Sequence, residues 1–370
     1  MSIPPEPKRP WAILFAIVVS ALVGLGYLGL RRTSEEARPA PRAMEPSKTA
    51  VKTGSTAPHA PRPAKAETAT AAARPAPKGA VVVRGAWGAR AGEFGRKAAN
   101  ESNPEAPMAI AASGAEVLVV DQVNQRIQRF RGGAFIDSIP IADTVQDIAL
   151  GPGGKVVALD RLVDQNVKVF GADGKLMNEA PLGGKGIPEP GQTTGVLAEP
   201  DGIWVERGHS SLVRVADLDG NADSARPELP GRPSRDQRHV LSLAIREGTA
   251  AEVLITSFGR ESLEVEWSVS VNLGHRVLEV LMLDSDARGN VYFAAALADE
   301  GPAPDFRLVD LGIAVVRLGP GGVVSGRIDV PGLTSGDETR RPVTLDDEGG
   351  ILVMRPGPNG LEILRYLIPG

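Results

Sequence analysis

The chain has 370 residues, of which 42% are hydrophobic and only 4% aromatic, with 43 glycines, 31 prolines and no cysteine. The lack of cysteine excludes disulfides, thiolate metal sites, a cysteine nucleophile and a lipid-modified N-terminal cysteine. The net charge of −4 is unevenly distributed, because residues 1–79 carry an excess of seven positive charges and residues 80–370 an excess of eleven negative charges. An acidic, aromatic-poor domain of this kind argues against nucleic-acid binding.

The N-terminus has the pattern of a signal anchor. A short tail, residues 1–10, precedes an uncharged run, residues 11–30 (WAILFAIVVSALVGLGYLGL). A helix of that length spans about 30 Å, the thickness of a bilayer core. A cleaved signal peptide is the alternative, but the apolar run is long for one. We predict a single-pass protein of the inner (plasma) membrane with its large domain outside the cytoplasm, although basic residues flank both ends of the run and do not fix its orientation.

The next segment, residues 31–79, predicts a disordered linker. It is rich in proline and alanine and carries ten Lys/Arg against four Asp/Glu. Such a composition cannot bury a hydrophobic core. We interpret it as a solvated spacer, and the alternative is that its positive charge contacts anionic lipid or an anionic polymer.

From Ala80 onward the chain is rich in short strands that repeat with a period of about forty residues. The two clearest units, Met108–Ile141 and Asp147–Leu182, each contain four strands separated by turns. Four weaker units follow, and the last lacks a fourth strand, which Val81–Val83 would supply from the start of the domain. Such closure removes exposed sheet edges. The sequence therefore predicts an all-β, six-bladed β-propeller over residues 80–370.

Several stretches resemble NHL repeats. They are GAWGARAGEFG (Gly85–Gly95) followed by MAIAASGAEVLVVDQVNQRIQRF (Met108–Phe130), KVVALDRLVDQNVKVF (Lys155–Phe170) and, more faintly, DSDARGNVYFA (Asp284–Ala294). The resemblance is good over the first two units and loose over the other four. It implies a six-bladed propeller of a family whose members mostly act as interaction platforms, with a minority that resemble lactonases or amidating lyases. The motif is structural, so it transfers the fold and not a chemistry.

The first candidate metal ligands are acidic residues at the ends of second strands. Asp121, Asp160 and Glu206 occupy equivalent positions, and carboxylates at the mouth of a propeller channel would suit a metal-dependent hydrolase or lactonase. A carboxylate at a strand end can instead accept hydrogen bonds from the backbone of its own turn. We favour the turn role.

A second candidate lies in DLDGNAD, residues 217–223. Asp217, Asp219 and Asn221 place oxygen atoms at alternate positions, as the start of a calcium loop does. Glu228 stands at the twelfth position, but the glycine is at the fourth position instead of the sixth. The alternative is a hairpin turn. We predict no cofactor, with calcium as the alternative.

The sequence contains no G-x-S-x-G, H-E-x-x-H or P-loop motif. Together with the anchor and linker, this predicts a non-enzymatic, membrane-tethered scaffold or sensor of the cell envelope, bound to the bilayer through residues 11–30 and to a protein partner through its loops. The candidate contact loops are residues 183–193, 221–238 and 298–310. The alternatives are a tethered propeller hydrolase or lactonase with a carboxylate-bound metal at its channel and, third, a cell-wall polysaccharide binder.

Overall fold

The computed structural model describes residues 67–98, 103–208, 211–246, 251–302, 307–332 and 336–369. The predicted anchor, residues 11–30, and the linker up to residue 66 lie outside these ranges. Within the described ranges, no helix has the length and apolar character that a membrane span requires.

The described chain folds into β-strands that form six sheets, the blades of a propeller. Two strands precede the first complete blade: β1 (Glu67–Thr70) and β2 (Ala80–Ala86). Blade one contains β3 (Ala109–Ser113), β4 (Glu116–Asp121), β5 (Arg126–Arg131) and β6 (Ala134–Pro140). Blade two contains β7 (Asp147–Leu150), β8 (Val156–Asp160), β9 (Asn166–Phe170) and β10 (Leu176–Pro181). Blade three contains β11 (Thr193–Glu199), β12 (Gly202–Arg207), β13 (Ser211–Ala216) and β14 (Glu228–Leu229).

The second half of the ring is built in the same way. Blade four contains β15 (Arg232–Pro233), β16 (His239–Ile245), β17 (Glu252–Gly259) and β18 (Val265–Asn272). Blade five contains β19 (Arg276–Ser285), β20 (Val291–Glu300), β21 (Leu308–Leu318) and β22 (Val324–Pro331). Blade six contains β23 (Val343–Leu345), β24 (Ile351–Gly357) and β25 (Gly360–Tyr366).

The ring closes as the sequence predicts. Blade six takes its fourth strand from β2, which pairs antiparallel with β25 and sets Val83 opposite Ile363 and Ala86 opposite Gly360. The prediction that Val81–Val83 closes the ring is therefore confirmed. Closure of this kind lets the two ends of the domain share one ladder of hydrogen bonds.

The chain before β2 differs from the expected linker. Strand β1 pairs in parallel with β18 at the outer edge of blade four. Beyond it, the carbonyl of Ala71 accepts a hydrogen bond from Arg327 at 2.8 Å, and Arg74 and Ala76 bond to Asp329 of blade five. Residues 67–76, which we call the strap, therefore run along the outside of two blades. Their backbone groups form hydrogen bonds with groups at the outer edges of these blades that would otherwise lack partners.

Local signals explain the turns between strands. In the hairpin Asp286–Asn290, the Asp286 carboxylate accepts hydrogen bonds from the backbone N–H groups of Arg288 and Asn290 at 2.9 and 3.0 Å. Gly289 completes the turn with a φ of 78°, which glycine adopts without steric cost. The same Asp-x-x-Gly pattern recurs at Asp346, so one five-residue motif forms two inner hairpins at the same end of the ring.

Apolar side chains pack between most neighbouring blades. Blades one and two share Leu118, Ile127 and Ile148, for example, all of which are buried. Among the described residues no buried apolar cluster joins blades three and four, and polar contacts link them, among them Gln237 to Glu199 at 2.6 Å. The charged groups of the candidate functional site lie along this polar seam and in the channel beside it.

Candidate functional site

The candidate site is the central channel, which the inner strands of the six blades surround. In an antiparallel blade, the turn between the first two strands lies at one end and the connection to the next blade lies at the other. We call the first the hairpin end, which includes residues 234–238 and 286–290. The second is the loop end, which includes residues 161–165 and 182–192.

At the loop end, one arginine crosses the channel. Arg341 precedes β23 of blade six, and its guanidinium donates to the Asp147 carboxylate at 2.6 Å and to the carbonyls of Ile148 and Val196 at 3.1 and 3.0 Å. These acceptors belong to blade two and to blade three, which is opposite blade six in the ring. Burial raises the pKa of Asp147, although Arg341 acts in the opposite direction. Arg341 therefore braces the ring across its axis.

Within the channel, a second arginine joins three blades. Arg232 of β15 forms a two-pronged ion pair with Glu206 of β12, with nitrogen–oxygen distances of 2.6 and 2.9 Å. It also donates to the carbonyl of Leu283 in β19 at 2.8 Å. The hydroxyl of Thr194 donates to the same Glu206 carboxylate at 2.9 Å. The planar fork of arginine suits this bidentate contact, which fixes orientation as well as charge.

At the hairpin end, Arg235 bridges blades four, five and six. It pairs with Asp284 at 2.8 Å and with Asp347 at 2.6 Å. Asp347 in turn accepts hydrogen bonds from the Ser113 hydroxyl and the Gly114 N–H of blade one, at 2.9 and 2.6 Å. Ion pairs therefore link the blades at both ends of the channel and between these ends.

One cavity inside the ring is small. A cavity of about 50 Å³ lies between blades three to six, and Thr194, Arg232, Glu279 and Arg340 are among its lining residues. That volume holds only a few water molecules. Its walls carry both signs of charge and are already hydrogen-bonded in large part, so the channel resembles a braced core more than an open pocket.

The structure separates the three strand-end carboxylates. Asp121 is buried and accepts hydrogen bonds from the Gly95 N–H at 2.8 Å and from the Arg126 guanidinium at 2.9 Å. Asp160 accepts from the backbone N–H groups of Leu162 and Val163 at 3.2 and 2.9 Å, the geometry of the turn role. Of the three, Glu206 faces the channel, where it pairs with Arg232. In the described part of the chain, no three acidic or histidine side chains converge as a metal site.

The DLDGNAD stretch has the geometry of a hairpin turn. Asp217 accepts hydrogen bonds from the N–H groups of Asp219 and Asn221, both at 2.9 Å. The side-chain amide of Asn221 also bonds to it and, together with the backbone donors, lowers the pKa of Asp217. Asp219 pairs with Lys155 at 2.6 Å. The oxygens proposed for calcium are thus directed at backbone and side-chain donors.

The predicted contact loops do not share one face. Residues 183–193 and the described parts of 298–310 lie at the loop end, because they join blades two and three and the second and third strands of blade five. Residues 221–238 begin in the outer hairpin of blade three at the hairpin end, reach the loop end between β14 and β15, and return through β15 to the hairpin end. The three candidate contact loops are therefore not confined to one end of the ring.

No family model and no curated protein matches this sequence. Solved structures do resemble it in fold. Hydrazine synthase from Kuenenia stuttgartiensis has 12% identity and a TM-score of 0.46, over 70% of this chain and 75% of that chain. The calcium-binding protein regucalcin from Agrobacterium tumefaciens has 12% identity and a TM-score of 0.41, over 75% and 94%. BamB from Moraxella catarrhalis has 10% identity and a TM-score of 0.40, over 80% and 94%. At these identities and TM-scores the likenesses carry no argument about this chain, whose six sheets themselves show the propeller, and the resemblance to NHL repeats stays a prediction.

Proposed function

We propose that the propeller is a non-enzymatic binding platform for a protein partner, tethered to the cell envelope. The observation that supports this best is the braced channel. Glu206 is held by Arg232 in a bidentate pair, and Asp147 and Asp284 are held by Arg341 and Arg235. A metal ion at the axis would have to displace these guanidinium groups, each of which also bonds to a backbone carbonyl.

The surface that suits a partner is the loop end. Leu162 and Val163, at the connection between β8 and β9, are 52% and 65% exposed. Ile245, the last residue of β16, and Val309 and Leu311, near the start of β21, are also exposed towards the same end. Apolar residues rimmed by polar groups are a common feature of protein–protein contact sites.

A matched pair of crosslinking sites tests the platform. A photoreactive amino acid placed at Val163, at the loop end, should capture a discrete protein partner in cells. The control is Val323, which is 73% exposed at the hairpin end and should give no such adduct. Equal adducts from both sites, or none from Val163, would contradict a platform at the loop end.

The membrane arrangement is part of the same proposal. We place the anchor at residues 11–30 and the propeller outside the cytoplasm, because an uncharged run of this length suits a bilayer. A reporter fused after Gly370 that works only after export should be active. Activity only of a reporter that requires the cytoplasm would reverse the topology and remove the envelope from the proposal.

The alternative is a hydrolase or lactonase with a metal at the channel. It would require Glu206 to exchange Arg232 for a cation. A melting temperature that rises with added calcium or zinc and falls with chelator would favour it, since a ligand that binds only the folded state stabilises that state.

A further inference from the structure

Among the described residues, two arginines at the loop end form no ion pair with an acidic side chain. The guanidinium of Arg161, in the connection after β8, donates to the carbonyls of Gly191 and Thr193. Arg340, beside the crossing Arg341, donates to the same Thr193 carbonyl at 3.2 Å. In the described part of the chain, the hydrogen bonds of both side chains end on carbonyl oxygens. The two cations therefore share one acceptor, the Thr193 carbonyl.

The surroundings of the Arg161 guanidinium favour a bound anion. Burial and then the positive charge of Arg340 lower its pKa, and Glu338, which is exposed nearby, acts weakly in the opposite direction. The Nε atom of Arg161 is buried without a hydrogen-bond partner. A buried donor without an acceptor costs free energy. An anion at this point would accept a hydrogen bond from Nε and would reduce the repulsion between Arg161 and Arg340.

An apolar surface adjoins the pair. Leu162 and Val163 directly follow Arg161 and are more than half exposed. The side chain of Leu162 lies beside Gly191, whose carbonyl Arg161 binds. A ligand would therefore meet two guanidinium groups and, next to them, two aliphatic side chains.

We infer that Arg161 and Arg340 form an anion-binding site that receives a carboxylate of an acidic peptide segment, whose neighbouring apolar residue packs on Leu162 and Val163. The inference rests on the proposed function and names the chemistry of the partner. Arginine binds carboxylates through two parallel N–H donors. The adjoining aliphatic surface favours a peptide over a free anion, because a small inorganic ion would leave Leu162 and Val163 exposed to water.

The test uses the full-length chain in detergent and a short fluorescent peptide of alternating glutamate and leucine. Arg161→Gln and Arg340→Gln should each weaken binding about tenfold, as expected for a lost hydrogen bond between charged groups. The control, Arg288→Gln, removes an exposed arginine at the hairpin end and should leave binding unchanged. The counterpart peptide of glutamine and leucine should bind weakly, and salt should weaken the glutamate peptide. Melting temperatures of all three variants establish that they fold.

Three results would overturn the inference. They are equal binding of the glutamate peptide by the wild type and both variants, no binding by the wild type, and stabilisation by inorganic phosphate without any peptide binding. The third would assign the arginine pair to a free oxyanion. If peptide binding is unaffected by the substitutions while Val163 still crosslinks to a partner, the platform stands and the arginine site does not.

Discussion

The crossing arginine offers the sharpest test of the braced channel. Arg341→Met would leave the Asp147 carboxylate, which is 1% exposed, without its cation, and would free the Ile148 and Val196 carbonyls. Removing one partner of a buried ion pair costs about 3–5 kcal/mol. The Arg341 side chain is 20% exposed, so water can relieve part of the penalty, and we expect a loss of about 3 kcal/mol in the free energy of unfolding.

Urea denaturation of the wild type, Arg341→Met, Asp147→Asn and the double variant measures this cost. The double variant should lose about 1–2 kcal/mol less than the sum of the singles, because it removes both charges together. Without Arg341, the raised pKa of Asp147 would rise further. A carboxyl group whose pKa is higher in the folded state than in the unfolded state makes the protein less stable as pH rises. The cost of Arg341→Met should therefore be larger at pH 7 than at pH 4. The exposed pair Arg84–Glu362 is the control, and Arg84→Met should change little. Additive losses, or a cost equal to that of the control, would refute the brace.

Three further outcomes are expected. Burial raises the pKa of Glu199 to about 7, so this carboxyl group destabilises the fold as pH rises from about 4.5 to 7. In urea denaturation at pH 8, Glu199→Gln should be more stable than the wild type by up to about 3 kcal/mol. A lower stability of the variant at pH 8 would show that Glu199 is not buried in this way. Asp160→Asn should cost about 1 kcal/mol, because the amide oxygen still accepts the turn's N–H groups, and a melting temperature that responds to chelator only in the wild type would overturn that role. A chain starting at Gly92 lacks β2 and should melt well below one starting at Ala80, whereas equal melting temperatures would contradict ring closure.

The repeat architecture could be predicted because its signals are local. The β-branched runs and glycine turns of blades one and two lie within about forty residues of sequence, and the missing fourth strand of blade six pointed to Val81–Val83. Blade four was harder, because its inner strand is only Arg232–Pro233. Two residues cannot display the alternation that identifies a strand.

The site was only partly predictable. Glu206 was found as a strand-end carboxylate, but its partner Arg232 carried no motif. Arg341 and Asp147 are 194 residues apart in sequence, and nothing in a single sequence marks two such residues as neighbours across an axis. The strap was assigned to the linker because its composition cannot build a core by itself, and it became ordered because blades four and five supply the edge and the donors that it lacks.

The strap also determines how the ring would respond to mechanical force. A pull on the chain before Glu67 meets the β1–β18 ladder first and the bonds of Ala71, Arg74 and Ala76 next. Only when these contacts have ruptured in series does the load reach β2, the strand that closes the propeller. The outer contacts would therefore break first, so that a pull on the chain before Glu67 would be dissipated at the rim of blades four and five before it opened the ring.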